Sequence, residues 1–157
     1  DCLGWKINEG DIEAASMALA SLGMTHLAQR HIKTLSGGQQ QLVLIAQRLI
    51  RQPEVLILDE STSALDIHHQ TRVMEHLRTY VSHTGALVLI AMHDLNLATR
   101  HTDSLVLLSE GRITSYGNKK DVLTVKTIKD AYKIDTELIY SSDGTPVIIP
   151  LSAAAAC

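Results

Sequence analysis

Val55-Leu56-Ile57-Leu58-Asp59-Glu60 is a short, unbroken apolar run that stops at two adjacent carboxylates. Such a run fits a parallel-sheet strand covered on both faces. Just downstream, Asp66 can cap a helix whose inward residues are Val73, Met74, Leu77, Tyr80 and Val81. Gly85 stands where that helix should end. Ala86 to Met92 is a second buried-type strand, so strand, helix and strand occupy about 38 residues. That length is a βαβ unit, whose crossover is right-handed. Functional groups in such a unit belong at the carboxyl ends of the strands, where Asp59, Glu60 and His93 lie.

Upstream the period is helical. Asp11 can cap a helix through Ile12, Ala15, Leu19 and Leu22, which ends near Gly23. The pattern breaks at Ser36-Gly37-Gly38 and resumes with Leu42, Ile45, Ala46, Leu49 and Ile50 on one face, stopping before Pro53. Downstream, Asp94 can cap a short helix from Leu95 to Arg100. Ser104 to Leu108 and Arg112 to Tyr116 read as strands around Glu110-Gly111, and Asp121 to Tyr132 as one or two short helices. Glu137 to Tyr140 and Val147 to Ile149 flank an Asp143-Gly144 turn, the pattern of a hairpin.

Composition excludes several classes. The chain has 157 residues, 45% hydrophobic, with 14 Lys+Arg against 17 Asp+Glu, which excludes a wholly disordered chain. A net charge of −3 gives no overall attraction to nucleic acid or to an anionic membrane. No apolar run reaches the length of a membrane span. Cys2 and Cys157 lie at opposite ends and offer neither a disulfide framework nor metal-ligand spacing. His69, His76 and His83 recur every seven residues, about 10 Å apart on a helix, too far to share one ion. They read as a solvated face.

Two segments carry chemistry. At the end of the apolar strand, one carboxylate of Asp59-Glu60 can hold a hydrated Mg²⁺ while its neighbour faces an attacking water. Leu35-Ser36-Gly37-Gly38-Gln39 opens directly into a helix: two glycines let backbone N–H groups approach an anion, and Ser36 adds a hydroxyl. These segments, followed by Ser63-Ala64-Leu65-Asp66 and a strand ending in His93, stand in an order that resembles the ATP-binding subunit of ABC transporters. The resemblance runs from Thr34 onward, and more weakly through the preceding helix.

The resemblance implies an α/β fold: part of a P-loop NTPase (RecA-like) domain with a mostly parallel central sheet, part of the helical subdomain and a C-terminal β-hairpin. Residues 1–52 would belong to the helical subdomain, 53–150 to the ATPase core, and 151–157 to an appended or disordered tail. Ser36, Gly37, Gly38 and Gln39 would form the signature that contacts a nucleotide held mainly by the other subunit of a head-to-tail dimer. Asp66 would lie in the D-loop crossing that interface. Asp59 would bind Mg²⁺ through water, Glu60 would be the general base, and His93 the switch histidine on the γ-phosphate of ATP. The partners implied are a second ATP-binding subunit and transmembrane permease subunits, with no nucleic acid and no direct lipid contact. The place implied is the cytoplasmic face of the inner membrane, peripheral through the permease.

The segment Ala131-Tyr132-Lys133-Ile134-Asp135 with Val147-Ile148-Ile149-Pro150 looks like the tail of the subfamily serving iron-siderophore and cobalamin uptake. One family feature is missing: no Gly-x-x-x-x-Gly-Lys-Ser/Thr phosphate loop occurs in the sequence. The chain is therefore expected to be the carboxyl-terminal part of such a subunit, inactive alone. Two other functions fit the same residues, a soluble ABC ATPase outside transport and a non-catalytic regulatory module. The strands are also expected to expose an apolar flank that favours self-association.

Overall fold

The computed structural model describes residues 8–153, which form two compact units meeting in sequence at Met92/His93. That boundary differs from the expected one at 52/53, because the helical segment and the first βαβ pack as one body. Residues 1–7 of the expected first segment and 154–157 of the expected tail lie outside the described residues.

The first unit contains α1 (Glu9–Ser21), α2 (Gly37–Ile50), β1 (Val55–Asp59), α3 (Ile67–Thr84) and β2 (Leu87–Ala91). α1 is capped by Asn8 rather than Asp11. The Asn8 side chain accepts from the Asp11 N–H at 2.8 Å, and the Asp11 carboxylate accepts from the Asn8 N–H at 3.0 Å. The reciprocal pair satisfies two helix-end donors at once. The apolar stripe expected on α1 is largely open: Ile12 is exposed, and only Leu22, at the helix end, is buried.

α2 buries Leu42, Ile45, Ala46 and Leu49, as its period requires, while Ile50 stays exposed. α3 begins at the Asp66 cap and ends at Gly85, whose φ of +71° a residue with a Cβ would adopt only with strain. Val73, Met74 and Leu77 are buried.

β1 and β2 pair in parallel, Val55 opposite Leu87 through Asp59 opposite Ala91. Burial on β1 alternates: Leu56 and Leu58 are buried, whereas Val55 and Ile57 are exposed. The strand is thus covered on one face only, a correction to the expectation of cover on both. Leu87 and Leu89 share the open face in register with Val55 and Ile57. The fold is mixed α/β as expected, and the described residues form three two-stranded sheets, one parallel and two antiparallel.

The second unit contains α4 (Leu95–His101), β3 (Leu105–Ser109), β4 (Arg112–Gly117), α5 (Lys119–Val122), α6 (Val125–Tyr132), β5 (Ile134–Tyr140) and β6 (Pro146–Ala153). Leu123, Ile128 and Ile148 form its core, with Leu95, Leu105, Ile134 and Leu138 packed against them. Asn96 imitates a neighbouring strand: its side chain donates to the Ile148 carbonyl at 3.1 Å and accepts from the Ile148 N–H at 2.8 Å. β6 runs to Ala153, past the expected boundary at 150, because Asp135 pairs with Ser152 beyond a register shift.

Two outcomes follow from this packing. The exposed row Val55, Ile57, Leu87 and Leu89 makes the chain self-associate in light scattering at high concentration, and Ile57→Lys with Leu89→Lys reduces that association; a compact monomer of the unsubstituted chain contradicts this. In the hairpin turn, the Ser141 hydroxyl and the Thr145 N–H donate to Asp143 and hold its carboxyl at about 2, below the ordinary 3.8. A depressed carboxylate stabilises above its unfolded value and ceases to do so as pH falls through the folded one. Thermal melts should therefore show Asp143→Ala less stable at neutral pH, with the difference closing between pH 3.8 and about 2.

Candidate functional site

The β1–β2 ladder fixes where the two acids emerge. Asp59 ends β1 opposite Ala91, and the next residue, Glu60, donates its N–H to the Ala91 carbonyl at 3.1 Å. Glu60 takes φ +43°, the left-handed region, which costs a non-glycine residue about 1–3 kcal/mol unless its surroundings hold it there. The following turn does hold it. Ser63 donates to the Glu60 carbonyl through both its N–H, at 3.1 Å, and its hydroxyl, at 2.8 Å. The Thr62 carbonyl accepts from the Leu65 N–H at 3.1 Å and from Gln70 Nε2 at 3.0 Å. Ser61 and Thr62 are buried while Asp59 and Glu60 are exposed, so the turn is anchored inside and presents its carboxylates outside.

The Ser36-Gly37-Gly38-Gln39 segment forms the first turn of α2. Ser36 Oγ accepts from the Gln39 N–H at 3.3 Å, and Gln39 Oε1 accepts from the Ser36 N–H at 3.1 Å. The Gln39 side chain is therefore engaged within its own helix start. Ser36 and Gly37 are exposed, and nothing lies within 4 Å of where a Gly37 Cβ would be. At Gly38 a Cβ would sit 3.2 Å from the Ala64 carbonyl oxygen and 3.4 Å from Leu65 Cδ2. The helix start thus abuts the Ser63–Asp66 segment of the same chain. Gln40 Nε2 adds a 2.9 Å bond to the Leu35 carbonyl, tying the loop to the helix.

Asp66 is exposed at the start of α3. Its carboxylate accepts from the His69 N–H at 2.8 Å and contacts His69 Nδ1 at 2.8 and 2.9 Å. The His69 backbone bond, then its ring, hold the Asp66 carboxyl below the ordinary carboxylate range. The three spaced histidines do not share one solvated face in the way expected. His76 is half-buried, its Nε2 3.2 Å from Ser21 Oγ, and that burial lowers its pKa. Ser21 donates its own proton to the Ala18 carbonyl at 2.7 Å, so His76 is the donor in this pair.

His93 is the first residue of the second unit, exposed and next to the Asp94 cap of α4. It lines an open cleft of about 240 Å³ with Asp94, Asn96, Tyr132, Ile148 and Pro150. Burial pushes the Tyr132 hydroxyl above its ordinary pKa. Of the sequence-derived site residues, then, Ser36, Gly37, Gly38, Gln39, Asp59, Glu60 and Asp66 share the first unit, and His93 belongs to the second.

The profile of the ABC transporter family matches residues 7–63. A hemin import ATP-binding protein of Bradyrhizobium diazoefficiens is 40% identical over 147 residues, covering 88% of this chain and 54% of that protein. The ferric enterobactin transport ATP-binding protein of Escherichia coli is 37% identical over 146 residues, covering 92% of this chain and 54% of that one. Among solved structures, a transporter described as of metal-chelate type, in an inward-facing conformation, matches with a TM-score of 0.79 at 28% identity, over 96% of this chain and 61% of that one. Over most of its length the chain is thus similar to the ATP-binding proteins of ABC transporters. It spans about half the length of the curated relatives it matches.

The resemblance to ABC ATP-binding subunits implies Mg²⁺, and the donor set here bears on that ion. Among the described residues no group of three His, Cys, Asp or Glu side chains could enclose a metal. Asp59 and Glu60 instead stand side by side and exposed at a strand end. Mg²⁺ sheds its waters reluctantly and is commonly held by one or two carboxylates plus phosphates, so this pair fits an ion that keeps most of its water shell.

Sequence reasoning passed over Gln70 and named Ser63 only as part of a motif, whereas both hold the turn carrying Glu60. The available signal was weak, since Gln70 is a polar residue on the early turns of an amphipathic helix, where solvation is the ordinary explanation. For the capping box of α2, Ser36→Ala should lower stability by about 1 kcal/mol. Urea unfolding of the chain checks this, and an unchanged midpoint would show that the Ser36 hydroxyl contributes nothing to α2.

Proposed function

We propose that this chain is part of an ATP-binding and ATP-hydrolysing subunit that powers an importer of iron chelates, of the siderophore and hemin kind. The observation that carries the reading is Glu60: an exposed carboxylate held in a left-handed backbone conformation at the end of a parallel strand, directly after Asp59. A hydrolytic base needs that combination of exposure to water and a fixed origin. The names of the two import proteins, similar over most of this chain, support the transport role and the iron-chelate class.

The roles divide as follows. Glu60 orients and polarises the attacking water. Asp59 would hold Mg²⁺ through water, and that ion, when bound, would offset negative charge on the phosphates. Ser36 and Gly38 face a nucleotide carried by the opposing subunit of a head-to-tail dimer. Because Ser36 Oγ accepts from its own helix, its proton is left for a phosphate oxygen, alongside the N–H groups and positive end of α2. Gln39 acts through the capping box, keeping that helix start in shape. Asp66 orders the D-loop at the dimer interface, and His93 donates to the γ-phosphate. The subunit sits on the cytoplasmic face of the membrane through permease partners, and no helix among the described residues is long and apolar enough to cross a membrane.

The 157 residues contain no Gly-x-x-x-x-Gly-Lys-Ser/Thr loop to cradle the phosphates. The 157-residue chain alone accordingly releases no phosphate from Mg·ATP, and steady magnesium-dependent release from a clean preparation contradicts that. In the full-length subunit, Glu60→Gln keeps ATP binding and dimer closure while lowering turnover at least about a hundredfold. An unchanged kcat removes Glu60 from the role of base.

A further inference from the structure

We propose that Gln70 is a positioning residue for hydrolysis, acting through the backbone of the turn that carries Glu60; this rests on the ATPase reading above. The physical problem is that Glu60 is not a glycine yet sits at φ +43°. A residue held there returns to an ordinary conformation as soon as the turn can rotate, and its carboxylate then leaves its position.

The turn is pinned at three points. At its start, the Glu60 N–H is caught by the Ala91 carbonyl of β2. In its middle, the Ser63 N–H and hydroxyl converge on the Glu60 carbonyl. At the next peptide but one, the Thr62 carbonyl receives Gln70 Nε2 at 3.0 Å. The first pin comes from a strand and the second from the turn itself. The third comes from α3, eight residues further along the chain.

Gln70 is well suited to this. It lies four residues after the Asp66 cap, on the fixed part of α3 whose buried residues begin at Val73. Its amide is half-buried, and Thr62 is only 3% exposed, so water competes poorly for the carbonyl. Removing the donor leaves the Thr62 carbonyl with the Leu65 N–H alone and frees the peptide between the two motifs. The consequence falls on the orientation of Glu60 rather than on the grip on nucleotide, because the Gln70 side chain bonds to the backbone of the turn, at the Thr62 carbonyl.

The test uses the full-length subunit with Mg·ATP. Gln70→Glu keeps the side chain's shape but replaces the donor by a carboxylate, and a negative charge near the start of a helix does not disfavour the helix. Gln70→Leu removes the polar group, and Gln70→Lys restores an N–H donor on a flexible stem. The expected result is a kcat about tenfold lower in the Glu and Leu variants, with KM for ATP and Tm near those of the unsubstituted protein, and recovery of most of that kcat in the Lys variant.

Unsubstituted kcat in the Glu and Leu variants overturns the proposal. So does a loss in which KM, Tm and kcat fall together, or a Lys variant no better than Leu, since each marks Gln70 as packing alone. The two readings fail differently. Turnover that depends on Glu60 but not on Gln70 removes this inference only, whereas an unsubstituted subunit with no turnover, or Glu60→Gln at full rate, removes the ATPase reading and this one with it.

Discussion

The parallel pairing of β1 with β2 is the constraint on which the rest of the site depends. Its register sets Asp59 opposite Ala91, and the free carbonyl at the end of β2 is then in reach of the Glu60 N–H. A slip of one residue would turn Leu56 and Leu58 out of the core and carry Asp59 to the opposite face, because side chains alternate along a strand. The buried pair Leu56 and Leu58 therefore does more than stabilise: it fixes the phase in which the carboxylates appear.

From that fixed point the molecule spends local strain on placement. Left-handed Glu60 is unfavourable by itself, and the two Ser63 donors, the buried Ser61 and Thr62, and Gln70 surround it with partners that a relaxed turn would lose. The same turn continues into Ala64 and Leu65, against which the glycine at the start of α2 is packed. Gly38 thus has an intramolecular duty at the start of α2, where it meets the Ala64 carbonyl and Leu65. Any side chain there must displace backbone of the neighbouring segment or find a few tenths of an ångström in it.

Much of the local structure was readable from single residues whose preferences are short-ranged. Asp66 and Asp94 were legible as caps, Gly85 as a left-handed stop, and Glu110-Gly111 and Asp143-Gly144 as turns, because each depends on geometry within four or five residues. The α1 cap was misread by three positions, since Asn8 and Asp11 are both competent and only their reciprocal bonding selects Asn8. The open face of β1 was not legible, because an apolar run states that a strand can be buried and not what is present to cover it. His76 was placed in solvent by its spacing, while the end of α1, more than fifty residues earlier in the chain, packs Ser21 against it.

The amino-acid order determined the strings themselves, Leu35 to Gln39, the paired acids Asp59 and Glu60, Asp66 and the strand-end His93, and with them the resemblance to ATP-binding proteins of ABC transporters. These are strings of neighbouring residues, and their chemistry is written in residue type and spacing. Tertiary structure alone decided that Glu60 is left-handed, that Gly38 rests on Ala64, and that an unremarked glutamine holds the turn. Each of those depends on groups from separate elements arriving within hydrogen-bonding or van der Waals distance, which only the packed chain can specify.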